Sequence, residues 1–156
     1  MKSQYCCFTG HRVIPEKDYR MVLENTRTEI EKLIKSGVSN FIAGGAVGFD
    51  TLCAWLVLEF KKTYPHVRLH LALPCEKQAK NWSDEEIWQY NKILDASDTI
   101  TYVSYNYSKG CMYKRNRYMV DNSSYCIFYC TKQHGGSFFT VNYARAQNLS
   151  LISVIF

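Results

Sequence analysis

Two glycine-bearing loops and two arginines carry the residue types that hold anions. The first loop lies in FIAGGAVGFDTLCAWLVLEF, residues 41–60, where Gly44, Gly45, Ala46 and Gly48 separate two apolar runs and Asp50 closes the loop. A strand followed by glycines and then a helix lets backbone N–H groups face a ligand, while the helix N-terminus adds free donors and positive potential. A tight strand-to-helix turn needing no ligand accounts for the same glycines. The second loop, QHGGSFFT, repeats the device with Gly135, Gly136 and the hydroxyl of Ser137. Two such loops in one short chain favour an anion site over two chance turns.

TGHR supplies Thr9, Gly10, His11 and Arg12. A guanidinium holds phosphate bidentately where an ammonium acts as a point charge. His11 suits a base, a phosphate donor or a hydrogen-bonding scaffold. The densest cationic cluster, MYKRNRY, contains Arg115. It stands near a helix start, on the side where the strands end, or else is a solvated surface cation. Asp121, six residues on, falls elsewhere around that helix and makes no simple pair with it.

Positioning these loops requires strands that end at them. Short apolar runs bounded by turn or cap residues occur at 5–8, 40–43, 68–73, 99–103, 125–129 and 151–154. Between them, Val22, Thr26, Ile30, Leu33 and Ile34 recur at helical spacing before the stop signal Gly37. A second helix over 51–61 is apolar nearly all round and is expected to be buried. SDEE caps a third over 84–96, a fourth covers 112–120, and a fifth follows Gly136. Alternating strands and helices with near-continuous apolar strands predict one three-layer, Rossmann-like α/β domain, a parallel sheet with helices on both faces. Its ligands are expected outside the carboxyl ends of the strands.

The chain has 156 residues, enough for one ordinary core, with 47% apolar and 21% charged residues. No apolar run reaches the roughly 20 residues of a membrane span, and the residues after Met1 read as a strand and not a signal sequence, so a cytoplasmic location is expected. Seven cysteines lie mostly in apolar stretches and contain no C-x-x-C pair, which predicts buried thiols and no metal site. The net charge of +5 suits anionic partners in general. With no long basic stripe, a nucleic-acid partner is not expected. The glycines run G-G-x-x-G instead of G-x-G-x-x-G, and residues 69–74 hold no ribose-binding acid, so no cofactor, NAD included, is expected.

The ordered blocks AGGAVGFD, RNRYMVDNSSYCIFY and GGSFFT resemble the SLOG superfamily, which includes LOG-type nucleotide phosphoribohydrolases and DprA DNA-processing proteins. TGHR, GGA-x-G-x-D, LP-x-E-x-Q and RN-x-x-M-V-D are similar to blocks of its YpsA-like branch. The resemblance runs from Thr9 to about Gln147. It implies a ligand site built from Thr9, Gly10, His11 and Arg12, the first glycine loop, Pro74 of LPCEKQ, Arg115, and the Gly135–Gly136–Ser137 turn. In LOG-type enzymes the arginine and the final glutamate of R-K-x-x-M…P-G-G-x-G-T-x-x-E serve catalysis and the glycines hold the phosphate; Arg115, Met119, Gly135 and Gly136 match that pattern, which implies a catalytic role for Arg115. Here Ser-Phe-Phe-Thr-Val-Asn follows the glycines, so the acid is missing. Asp50 and Glu76 are the available substitutes beside Arg115, although Asp50 serves equally as a helix cap and Glu76 as a solvated loop acid.

These readings lead to a module binding a nucleotide or nucleotide-derived phosphorylated ligand. The alternatives are a phosphoribohydrolase-like N-glycosidase, which needs a carboxylate at the sugar, and single-stranded DNA binding of DprA type. Trp82 and Tyr113 are candidate base-stacking rings, or core. The resemblance and the apolar segment LISVIF, ending at Phe156, point weakly to a homo-oligomer.

Overall fold

The computed structural model describes residues 1–155. Six strands, β1 (Tyr5–Gly10), β2 (Asn40–Ala43), β3 (Arg68–Leu73), β4 (Thr99–Tyr102), β5 (Tyr125–Tyr129) and β6 (Ser150–Ser153), pair in parallel in the order β4-β3-β2-β1-β5-β6. Connecting them are α1 (Glu16–Lys35), α2 (Phe49–Thr63), α3 (Asp84–Ala96), α4 (Cys111–Asp121) and α5 (Gly136–Ala146). The predicted Rossmann-like α/β architecture is the one observed. Of LISVIF, residues 151–153 lie in β6, and Phe156 falls outside the described residues.

From β1 the chain steps outward through β2, β3 and β4, then returns to place β5 on the other flank of β1. Right-handed crossovers therefore put α1, α2 and α3 on one face and α4 and α5 on the other. The order reverses between β1 and β5, and such a switch point opens a crevice at the carboxyl ends of the two strands.

The two faces differ in bulk. Phe8, Phe41, Leu69, Leu71, Leu73 and Ile127 meet Val22, Ile30, Phe49, Cys53, Leu56 and Val57 in the larger core. On the other face the strands offer the smaller Cys7, Ala72 and Cys126, with Ile42, to Met119, Val120 and Ala144. Small side chains beneath α4 bring that helix close to the sheet.

Local chemistry sets the boundaries. At α3, Ser83 Oγ accepts from the Glu86 N–H at 3.2 Å and Glu86 Oε1 accepts from the Ser83 N–H at 2.9 Å, a reciprocal capping box. The apolar second helix departs from expectation at one position: α2 buries Leu52, Cys53, Leu56 and Val57 but leaves Trp55 at the surface, donating to Gln89 Oε1 of α3 at 3.3 Å. Six of the seven cysteines are buried and all are free thiols. No described helix is long and apolar enough to cross a membrane.

Candidate functional site

A cavity of about 290 Å³ opens at the β1/β5 switch point. β1 and its loop contribute Thr9, Gly10, His11 and Arg12, α4 contributes Met112, Arg115 and Asn116, and the loop after β5 contributes Lys132, His134 and the Gly135–Gly136–Ser137 turn. Ala46 and Asp50 close it from the α2 side. Two guanidinium groups, one lysine and two histidines thus face a single carboxyl group.

Arg115 is 4% exposed. Its Nη1 donates to the Gly44 carbonyl and, at 3.5 Å, to the Ala72 carbonyl, while Nε donates to Asn116 Oδ1 at 2.8 Å. Those bonds tie the guanidinium to the ends of β2 and β3. Among the described residues Nη2 meets only the Met112 thioether, at 3.8 Å, and Nη2 of Arg12 meets the same sulfur at 3.9 Å. A thioether is a weak acceptor, so both cations retain donor capacity toward the cavity.

Asp50, 6% exposed, has one oxygen, Oδ2, accepting from the Ala46 N–H at 3.3 Å. Burial raises its pKa above the usual carboxylate range, an effect that the Arg115 charge, the Ala46 N–H and Arg12 only partly offset. Burial likewise lowers the Arg115 pKa, against the opposing pull of Asp50. For both groups desolvation outweighs mutual attraction, and no ion pair within 4.0 Å joins them among the described residues. The space between them is the place of the missing Gly44 side chain. A Cβ there would stand 2.6 Å from Arg115 Nη1 and 2.8 Å from Asp50 Oδ2.

His11 Nε2 accepts from the Thr131 N–H at 2.8 Å, linking the β1 and β5 loops. That bond assigns the ring proton of neutral His11 to Nδ1. Desolvation, then the Lys132 charge, lowers its pKa.

The two glycine loops divide their work. In the first, Gly44, Gly45 and Gly48 do not line the cavity. Gly48, with φ +79°, passes so close to the Arg12 backbone that a Cβ would lie 2.3 Å from its carbonyl oxygen. The Phe49 N–H at the start of α2 is already donated to the His11 carbonyl at 3.1 Å. This loop serves close approach of chain to chain. In the second, Gly135 (φ +94°) and Gly136 have open space where a Cβ would be, and α5 starts with neither a side-chain cap nor an acid in its first turn. The N–H groups of Gly136, Ser137 and Phe138 have no acceptor among the described residues, which leaves a helix N-terminus open to an anion.

Pro74 is buried just beyond β3 and stays outside the cavity. Glu76 is exposed and lines a separate depression with Lys77, Gln78, Lys80, Asn81 and residues 105–107. Trp82 packs edge-on against Tyr90, ring centroids 5.1 Å apart, as part of the core margin. Tyr113 is 42% exposed. Sequence reasoning did not single out Lys132, His134, Met112 or Asn116. Lys132 and His134 stand beside Gly135 in the loop after β5, and Asn116 follows Arg115 directly, so proximity to the motifs was the available signal.

An all-parallel three-layer sheet with a cationic cavity at its switch point defines a Rossmann-like α/β domain. Residues 10–151 match the YpsA family model, described as the YspA SLOG family, and the chain belongs to that family. It is 34% identical over 130 residues to the SPbeta prophage-derived protein YoqJ of Bacillus subtilis (strain 168), covering 74% of this chain and 75% of that one. It is 30% identical over 97 residues to a UPF0398 protein of Halalkalibacterium halodurans, covering 61% of this chain and 51% of the relative. Among solved structures, DNA processing protein A (DprA) of Streptococcus pneumoniae superposes with a TM-score of 0.70 at 15% identity, over 97% of this chain and 50% of that one. DprA of Helicobacter pylori, whose structure concerns its single-stranded DNA binding mode, gives 0.66 at 17% identity over 97% and 65%. These likenesses establish the fold. The chain spans about half the length of the UPF0398 relative and of the S. pneumoniae DprA structure.

Proposed function

We propose that the switch-point cavity binds the phosphate of a nucleotide or nucleotide-derived metabolite. The observation that carries this reading is the convergence of the open N-terminus of α5 with Arg12, Lys132 and a buried Arg115 whose Nη2 has only a thioether as acceptor. Backbone donors, a helix dipole and guanidinium groups reinforce one another around an anion. Asp50 stands opposite as a hydrogen-bonding group for a hydroxyl of the ligand.

The test is titration calorimetry with nucleoside mono-, di- and triphosphates, ADP-ribose and NAD, on wild type and on Arg12→Ala/Lys132→Ala. Both replaced side chains are exposed, so the variant is expected to melt like wild type. Binding weakened at least tenfold in the variant supports the reading; equal affinity in both proteins rejects it.

A catalytic reading of the same cavity is favoured by Asp50, a buried carboxyl with a raised pKa facing the anion site. Such a group can pass a proton during cleavage of an N-glycosidic bond. Glu76 lies in another depression and is the weaker candidate for that role.

Single-stranded DNA as the ligand is favoured by a different observation. Tyr105 and Tyr107 are 91% and 70% exposed, beside Lys77 and Lys80. Exposed rings among cations are the means by which single strands are held through stacking and charge. The likeness in fold to DprA supports this reading, and a steep loss of affinity with salt is its signature.

A further inference from the structure

We propose that the aromatic shelf beside the cavity, formed by Tyr113 of α4 with Phe138 and Phe139 of α5, takes the base of a free nucleoside monophosphate. The inference rests on the phosphate reading above and assigns the other end of the same ligand.

The shelf is contiguous with the anion cavity, since His134 and Gly135 line both. Tyr113 and Phe139 meet edge to face, with centroids 4.8 Å apart and planes 80° apart, and Tyr143 backs Phe139 with its ring nearly parallel at 6.4 Å. The arrangement holds the rings without covering them: Tyr113 keeps 42% of its surface exposed. A flat aromatic heterocycle is the complement to such a surface.

Geometry along α5 relates the shelf to the phosphate position. Phe139 follows Gly136 by three residues, an axial rise of about 4.5 Å, and helical side chains lean back toward the N-terminus. A ligand with its anion on the first turn of α5 therefore brings a group one sugar away onto these rings. Polar groups border the shelf to meet the edge of a base. Gln133 and Asn142 offer amides, and Arg117 a guanidinium. The Asn142 carbonyl accepts from Arg145 at 2.8 Å, which leaves its NH2 as a donor.

The experiment is titration calorimetry of the full chain with AMP, ribose 5-phosphate and a six-nucleotide adenine oligonucleotide, on wild type, Tyr113→Ala and Tyr113→Phe. Wild type is expected to bind AMP about tenfold or more tightly than ribose 5-phosphate, as one stacked base contributes. Tyr113→Ala is expected to lose that advantage without change in ribose 5-phosphate affinity, and Tyr113→Phe to keep it. Equal affinities for the two small ligands in wild type overturn the base assignment and leave the phosphate site standing. An AMP advantage unaltered by Tyr113→Ala also overturns it. Binding of the oligonucleotide without AMP overturns it in favour of a strand. Binding of none of the three overturns it too, and the wider nucleotide panel then decides the phosphate reading separately.

Discussion

The Arg115 guanidinium, carried by α4, donates through Nη1 to the carbonyl of Gly44 at the end of β2. Helix and strand lie 71 positions apart in the chain, and the contact exists because residue 44 has no side chain. The glycine loop that looks from the sequence like a phosphate cradle is thus the seat of an arginine, which in turn faces the cavity.

Gly44→Ala should therefore act through Arg115. Its Cβ would meet Arg115 Nη1 at 2.6 Å and Asp50 Oδ2 at 2.8 Å, so the guanidinium must shift toward the cavity and give up its seat on the Gly44 carbonyl. A loss of about 1–3 kcal/mol is expected, typical of overpacking. Gly136→Ala meets nothing within 4 Å and is expected to stay within about 0.5 kcal/mol of wild type. Urea denaturation of the two variants measures the contrast.

His11 gives the protein a pH dependence. Its pKa is lowered in the folded state, so on acidification the unfolded chain takes up a proton before the native one does. Stability contributed by neutral His11 is present above about pH 6.5, the unfolded value, and is lost as pH falls through the folded value. His11→Gln should flatten this part of the profile. Denaturation series at pH 7.5 and 5.0 for both proteins, compared as differences, isolate the contribution from other titrating groups.

Asp50 has the opposite sign. With a folded pKa raised by burial, its contribution is fully present below about pH 3.9, the unfolded value, and is lost as pH rises through the folded value. Asp50→Asn should gain stability relative to wild type between acid and neutral pH, while nucleotide affinity changes little. If the cavity hydrolyses N-glycosidic bonds, the same variant should lose turnover at least a hundredfold, the usual scale for a general acid or base. A chromatographic assay for released base, on wild type and variant, decides that reading.

Much of the fold was legible because buried parallel strands read as apolar runs whose ends are marked by caps and glycines. All six strands lie within two residues of their sequence-based limits, and SDEE marks the start of α3 correctly. Side-chain environments were less legible. Trp55 belongs to a helix apolar nearly all round, and periodicity does not reveal which side lacks a neighbour. The burial of Arg115 depends on small strand residues beneath α4, and the role of Gly48 on a crossing by the Arg12 backbone. Both are set by which segments meet in space, not by spacing within either. The second glycine loop keeps its local pattern of glycines before a helix, and among the described residues nothing lies within 4 Å of where a Cβ would stand at Gly135 or Gly136.

The most direct test of the central claim is the melting temperature of wild type against Arg12→Ala/Lys132→Ala with a nucleotide panel in large excess. A ligand at a hundred times its Kd stabilises the native state by about 2.7 kcal/mol, which is a readily measured shift. At least one small nucleotide is expected to raise the melting temperature of wild type, with a smaller shift in the variant and the two unliganded proteins melting alike. An equal shift in both proteins, or none with any nucleotide, would contradict the claim.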